Sequence, residues 1–70
     1  MIRLYQNKQL QDEIDKCQYR SVVDLQKQNL TDEDMEIVVK QAIINKQCTR
    51  LWLTDNNITS EGASIIAKAL

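Results

Sequence analysis

The sequence predicts an α/β fold in which short parallel strands alternate with helices, each strand, turn and helix forming one unit of a small stack behind an N-terminal helix. Three observations predict it. First, the chain repeats itself. Laying residues 23–42 over residues 51–70, 28 positions on, pairs Leu25 with Leu53, Asn29 with Asn57, Thr31 with Thr59, Glu33 with Glu61, Ile37 with Ile65 and Lys40 with Lys68 as identities. Val23 with Leu51, Leu30 with Ile58 and Val38 with Ile66 are like for like. A period between roughly 20 and 50 residues marks stacked supersecondary units, which present surface for binding more often than they perform chemistry. Second, in each copy a brief extended run is followed by polar turn residues and then by helical spacing. Third, a full helix separates the two extended runs, so no hairpin can join them, and a parallel pairing through a right-handed crossover is the expected topology.

In chain order, residues from Asn7 to Cys17 carry Leu10, Ile14 and Cys17 at i, i+4 and i+7, a short amphipathic helix, with Asp12 and Lys16 expected as an ion pair on its polar side. Val22-Val23-Asp24-Leu25 is a β-branched extended run, and Gln26 to Asn29 suit a turn. Thr31-Asp32-Glu33-Asp34 supplies a capping hydroxyl and first-turn acids for the positive end of a helix. That helix has an apolar stripe of Met35, Val38, Val39, Ala42 and Ile43, with Glu36, Lys40 and Gln41 facing away. Leu51 and Leu53 then point to one face of a second strand and Trp52 to the other. The last helix is expected to repeat the stripe with Ala63, Ile66, Ala67 and Leu70, and Ile65 lies beside it.

Composition narrows the function. Seventy residues make at most one small domain, and at this size only about 60% of the unfolded chain's surface is buried on folding. Nine basic and ten acidic residues are interspersed, with a net charge of −1, so neither a nucleic-acid backbone nor an anionic membrane is a favoured partner. No apolar run exceeds three residues, too short for a transmembrane helix or the apolar core of a signal peptide, and the chain reads as a cytoplasmic protein. Cys17 and Cys48 have no metal-ligand spacing, and the chain has no histidine. They read as reduced thiols serving as small apolar residues. No cofactor, metal or catalytic residue is implied, since nothing here activates a nucleophile. Asn29-Leu30-Thr31 and Asn57-Ile58-Thr59 match the N-glycosylation pattern, but their equivalent places in the repeat account for both.

The second copy carries a recognisable pattern. Leu51, Leu53, Asn56 and Ile58 form Leu-x-Leu-x-x-Asn-x-Ile, and Glu61, Gly62 and Ala63 begin an Ala-rich helix through Ala67 and Leu70. By these residues the chain resembles the leucine-rich repeat family, specifically the ribonuclease-inhibitor-type repeat, over residues 20 to 70. The resemblance implies a solenoid fragment with parallel strands on the concave side and helices on the convex side. It also implies that the leucines fill the core, and that the Asn56 side chain satisfies backbone groups where the chain leaves the strand. The first copy departs from the pattern, with Gln28 in place of the asparagine, Asp34 in place of the glycine and Arg20 at the place of Cys48. Such departures suit an end repeat. The expected organisation is a single domain: residues 1–21 an N-terminal cap, 22–49 repeat one and 50–70 an incomplete repeat two.

The same resemblance implies a binding face. Val22, Asp24 and Gln26 from one strand and Arg50, Trp52 and Thr54 from the other point into the concave side, with Lys27 and Asp55 at the rim. The candidate partner-binding residues are Trp52, Arg50, Thr54, Asp55, Asp24 and Gln26, with Trp52 and Arg50 as anchors. Packing against the cap or the neighbours of Asp24 is the competing role for Trp52. The expected function is a non-enzymatic protein-interaction module. A self-associating structural unit is the alternative, because the sequence stops at Leu70 inside a helix and leaves the apolar edge of repeat two to be covered by further repeats or by a second copy, as a dimer or swapped oligomer. A third reading, a regulatory subunit acting on an enzyme such as a small GTPase, follows only from some relatives of this repeat type.

Overall fold

The computed structural model describes residues 5–70. Helix α1 is Lys8–Asp15, strand β1 Val22–Asp24, helix α2 Met35–Val38, strand β2 Arg50–Trp52 and helix α3 Ser60–Ala69. A 3-10 turn, Asp32–Asp34, leads into α2, and a π-helical segment, Val39–Asn45, continues it. The fold is a small mixed α/β arrangement whose two strands are parallel, with Val22 beside Arg50, Val23 beside Leu51 and Asp24 beside Trp52. That register is the 28-residue period of the sequence made physical. Beyond the strands the two segments stay in step: Leu25 N–H donates to Trp52 O at 2.9 Å, Lys27 N–H to Thr54 O at 3.1 Å and Asn57 N–H to Leu30 O at 2.8 Å.

Helix α1 forms as the spacing predicts. Asn7 caps it, its side chain accepting from Leu10 N–H at 3.2 Å, and Leu10 and Ile14 are buried. The expected Asp12–Lys16 pair does not form. Lys16 lies past the last helical residue and reaches Glu13 at 3.7 Å, while Asp12 is met by Lys8 at 3.6 Å. Exposed pairs of this kind contribute little, so the exchange leaves the helix about as stable.

The core consists of Leu10, Ile14, Val23, Leu25, Leu30, Met35, Val38 and Ala42. All of it belongs to α1 and the first unit. Leu51, Leu53, Ile58, Ile65 and Ile66 of the second unit, and Cys48 just before it, pack on it only half-buried. The less regular copy is therefore the one enclosed, between α1 on one side and the second unit on the other. The stripe expected on α3 is corrected in the same way. Ala63 and Ala67 are exposed and Leu70 is 90% exposed, while Gly62 is buried and Ile65 turns inward with Ile66. Met35, Val38 and Ala42 are buried, whereas their counterparts Ala63 and Leu70 are exposed and Ile66 is half-buried. Val39 and Ile43 of the first stripe are likewise only half-buried.

Gly62 explains how α3 comes so close. A Cβ there would lie 2.3 Å from Asp32 Oδ1 and 2.8 Å from Ile58 Cγ2, so the helix start seats against Asp32 only without a side chain.

The second tie between units is Asn56. Its Oδ1 accepts from the N–H groups of Gln28 and Leu30, both at 3.0 Å, and its Nδ2 donates to Leu25 O at 2.8 Å and Leu53 O at 3.0 Å. One side chain thus satisfies backbone groups of both units, as the resemblance implies. Asn56→Ala leaves those groups unpaired and is expected to cost about 3 kcal/mol, a large share of the ~4–10 kcal/mol available to a domain of this size. Urea unfolding checks it, with Gln28→Ala, at the matching place of the first unit, expected to lose less than about 1 kcal/mol.

Candidate functional site

The strand face turned away from the core is built by simple alternation. Val23 is buried and Leu51 half-buried, so Val22, Asp24, Arg50 and Trp52 all emerge on the opposite side. The register makes a small rectangle of them. Val22 stands beside Arg50 and Asp24 beside Trp52, so two apolar side chains occupy one diagonal, with the base and the acid on the other. Val22 is 44% exposed and Trp52 43% exposed. Trp52 is thus no part of the buried core.

Of the six candidate residues, Asp24, Arg50 and Trp52 meet in this rectangle, and Thr54 is exposed further along. Asp24 and Gln26 are bound to each other: Asp24 Oδ1 accepts from Gln26 N–H at 3.1 Å and Gln26 Nε2 at 3.0 Å. This local turn fixes the carboxylate and folds the amide over it. No ion pair among the described residues involves Arg50, so its charge is available. Asp55, past the end of β2, has φ 61°, matched 28 positions earlier by Lys27 at φ 57°. Both turn the chain out of its strand through the left-handed region, which costs a non-glycine residue about 1 kcal/mol and suits Asp better than Lys. The arrangement offers an indole, a guanidinium and a fixed carboxylate, a set suited to contact with a protein surface.

A concave region elsewhere was not foreseen. Tyr5, Asp32, Glu33, Glu36, Glu61 and Ile65 line a cleft of about 330 Å³ on the helical side. Two of the acids first read as helix-start residues have specific partners. Asp32 accepts from Thr59 N–H at 2.7 Å and from the Thr59 hydroxyl, so it caps α3 from the neighbouring unit. Asp34 is 2% exposed and accepts from the Tyr5 hydroxyl at 2.8 Å, Asn7 Nδ2 at 2.9 Å and Thr31 N–H at 2.8 Å. The sequence held one signal for this: an acid standing where the other copy has a glycine. Among the described residues, no three His, Cys, Asp or Glu side chains are placed to share a metal ion, and no helix is long and apolar enough to cross a membrane.

No protein-family model, curated protein or solved structure matches this chain. Its function is therefore argued from the site.

These contacts set a pH dependence. Burial pushes Asp34 up, but the Asn7 amide, the Thr31 N–H and the Tyr5 hydroxyl outweigh it and hold the carboxyl below its ordinary value of 3.8. The Thr59 hydroxyl and N–H lower Asp32 in the same direction. The hydrogen bond to Asp34 raises Tyr5 above 10.0. A lowered carboxyl gives stability that is present above the unfolded value and lost as pH falls through the folded one, and a raised phenol gives stability lost as pH rises through its folded value. Urea midpoints are therefore expected to be flat near neutrality, to fall as pH drops to 3.8 and below, and to fall again above 10.0. Asp34→Asn should flatten much of the acid limb.

Proposed function

We propose that the chain is a non-enzymatic protein-interaction module of the leucine-rich repeat type, a cytoplasmic solenoid fragment that binds a protein partner through the strand face carrying Trp52 and Arg50. The observation that carries the reading is Trp52 itself. A large indole left 43% exposed on a strand face, near a half-exposed Val22 and an Arg50 in no ion pair among the described residues, has little to do in holding the fold together. Tryptophan and arginine at the centre of a contact contribute most of its energy when they are desolvated together. Asp24, held by Gln26, adds a fixed acid at the edge, and Thr54 and Asp55 extend the face toward the rim.

Trp52 is the sole tryptophan, so its fluorescence reports the face directly. The emission should be red-shifted in the free chain and move to the blue when a protein partner covers the indole. Trp52→Ala should weaken that partner's binding by about 30-fold, near 2 kcal/mol, with an unfolding free energy changed by less than about 1 kcal/mol. A large loss of stability instead would make Trp52 a packing residue and end the proposal.

One observation favours a second reading, self-association. Ile43, Cys48, Leu51, Leu53, Ile66 and Leu70 border an open recess of about 250 Å³ on the far side of the second unit. Leu51, Leu53 and Ile66 are the counterparts of Val23, Leu25 and Val38, which the second unit covers in the first. Two copies that join these faces would bury them. Light scattering on the 70-residue chain decides it: a concentration-dependent dimer is expected, and a monomer at every concentration rejects the reading.

A further inference from the structure

Cys17 and Cys48 lie 31 positions apart, one just past α1 and the other two residues before β2, and the fold lays their segments side by side. Four hydrogen bonds join the segments. Lys46 Nζ donates to Cys17 O at 2.7 Å and to Asp15 O at 3.2 Å, Arg20 N–H to Lys46 O at 2.7 Å, and Thr49 N–H to Ser21 O at 2.9 Å. Both cysteines are free and half-buried, and both pack against the same hydrophobic core. Arg20, the first-unit counterpart of Cys48, is exposed with φ 58°, so at this level of the stack it is Cys17 that packs on the core. The placement makes the two thiols one neighbourhood rather than two unrelated apolar fillers.

We infer that Cys17 and Cys48 form a dithiol site that a peroxide-class oxidant converts to a disulfide within the chain. The step balances with one hydrogen peroxide. The Cys17 sulfur, as thiolate, attacks one peroxide oxygen, the O–O bond breaks, and the released hydroxide takes up the thiol's proton as water, leaving a sulfenic acid. The Cys48 sulfur then attacks the Cys17 sulfur, the S–S bond forms, and the S–O bond breaks. The expelled hydroxide leaves as water with the Cys48 proton. Both sulfurs are oxidised and the peroxide is reduced to two waters. Burial, reinforced by Cys17 close by, pushes the Cys48 thiol up, which makes it a poor first nucleophile and leaves the first attack to Cys17. The bond would close a loop around the whole first unit and staple α1 to the entrance of β2.

The test is intact-mass and free-thiol measurement on the folded, reduced chain after treatment with hydrogen peroxide. The expected product is a monomer lighter by two hydrogens with no titratable thiol, formed at a rate independent of protein concentration and reversed by a dithiol reductant. It should unfold at a higher temperature than the reduced chain. Cys17→Ser and Cys48→Ser should each abolish the loss of two hydrogens, and circular dichroism checks that each variant still folds. Oxygen adducts, chain-to-chain dimers or two persistently free thiols in the folded wild type would overturn the inference. Disulfide formation that is no faster in the folded chain than in urea would do the same, because the fold would then contribute nothing to the pairing.

Discussion

The structure hangs on the side chain of Asn56. Two strands of three residues each make too small a ladder to fix a register by themselves, and beyond them the chain must turn away with its backbone polar groups facing the interior between units. Asn56 meets those groups on both sides at once. It donates to carbonyls of Leu25 and Leu53 and accepts from the N–H groups of Gln28 and Leu30. An amide is the group this place needs, because it carries a donor and an acceptor on one rigid plane. With that contact in place Val23 and Leu51 are held level, and the alternation that buries them exposes Trp52 and Arg50.

Much of this was legible in the residues. The 28-residue echo fixed the offset between strands, the alternation around Leu51 and Leu53 assigned Trp52 to the outer face, and the helical spacing of Leu10 and Ile14 located α1. Each is a periodic signal, and periodicity survives in a single sequence. What stayed hidden depends on pairs far apart along the chain. Asp32 with Thr59 and Asp34 with Tyr5 and Asn7 are side-chain contacts across roughly thirty residues, and no local spacing announces them. The orientation of α3 was missed for a related reason. Ala63, Ile66 and Leu70 carry the same pattern as Met35, Val38 and Ala42, but burial is set by what lies over a stripe.

The two copies consequently divide the work differently from their sequences. The better-matched copy supplies Asn56, Gly62 and Trp52, which are the connector, the close approach and the exposed anchor. The less regular copy supplies the enclosed core, and one of its irregular residues, Asp34, touches residues outside the repeat. Asp34 replaces a glycine where Tyr5 and Asn7 arrive from the chain ahead of and at the start of α1. At Asp34 the departure from the repeat pattern marks contact with a non-repeating neighbour.

The π-helical stretch Val39–Asn45 adds a consequence of another kind. Lys46 N–H reaches back five residues to Gln41 O, and Cys48 N–H six residues to Ala42 O. A π turn holds one more residue than an α turn of the same span, so this connection stores spare chain. The strands on either side are pinned by Asn56 and by their ladder, whereas the helix between them can take up or give back a residue by changing its winding. Length variation in this segment would then be absorbed along the helix axis, and the facing of Trp52 and Arg50 would be insulated from it.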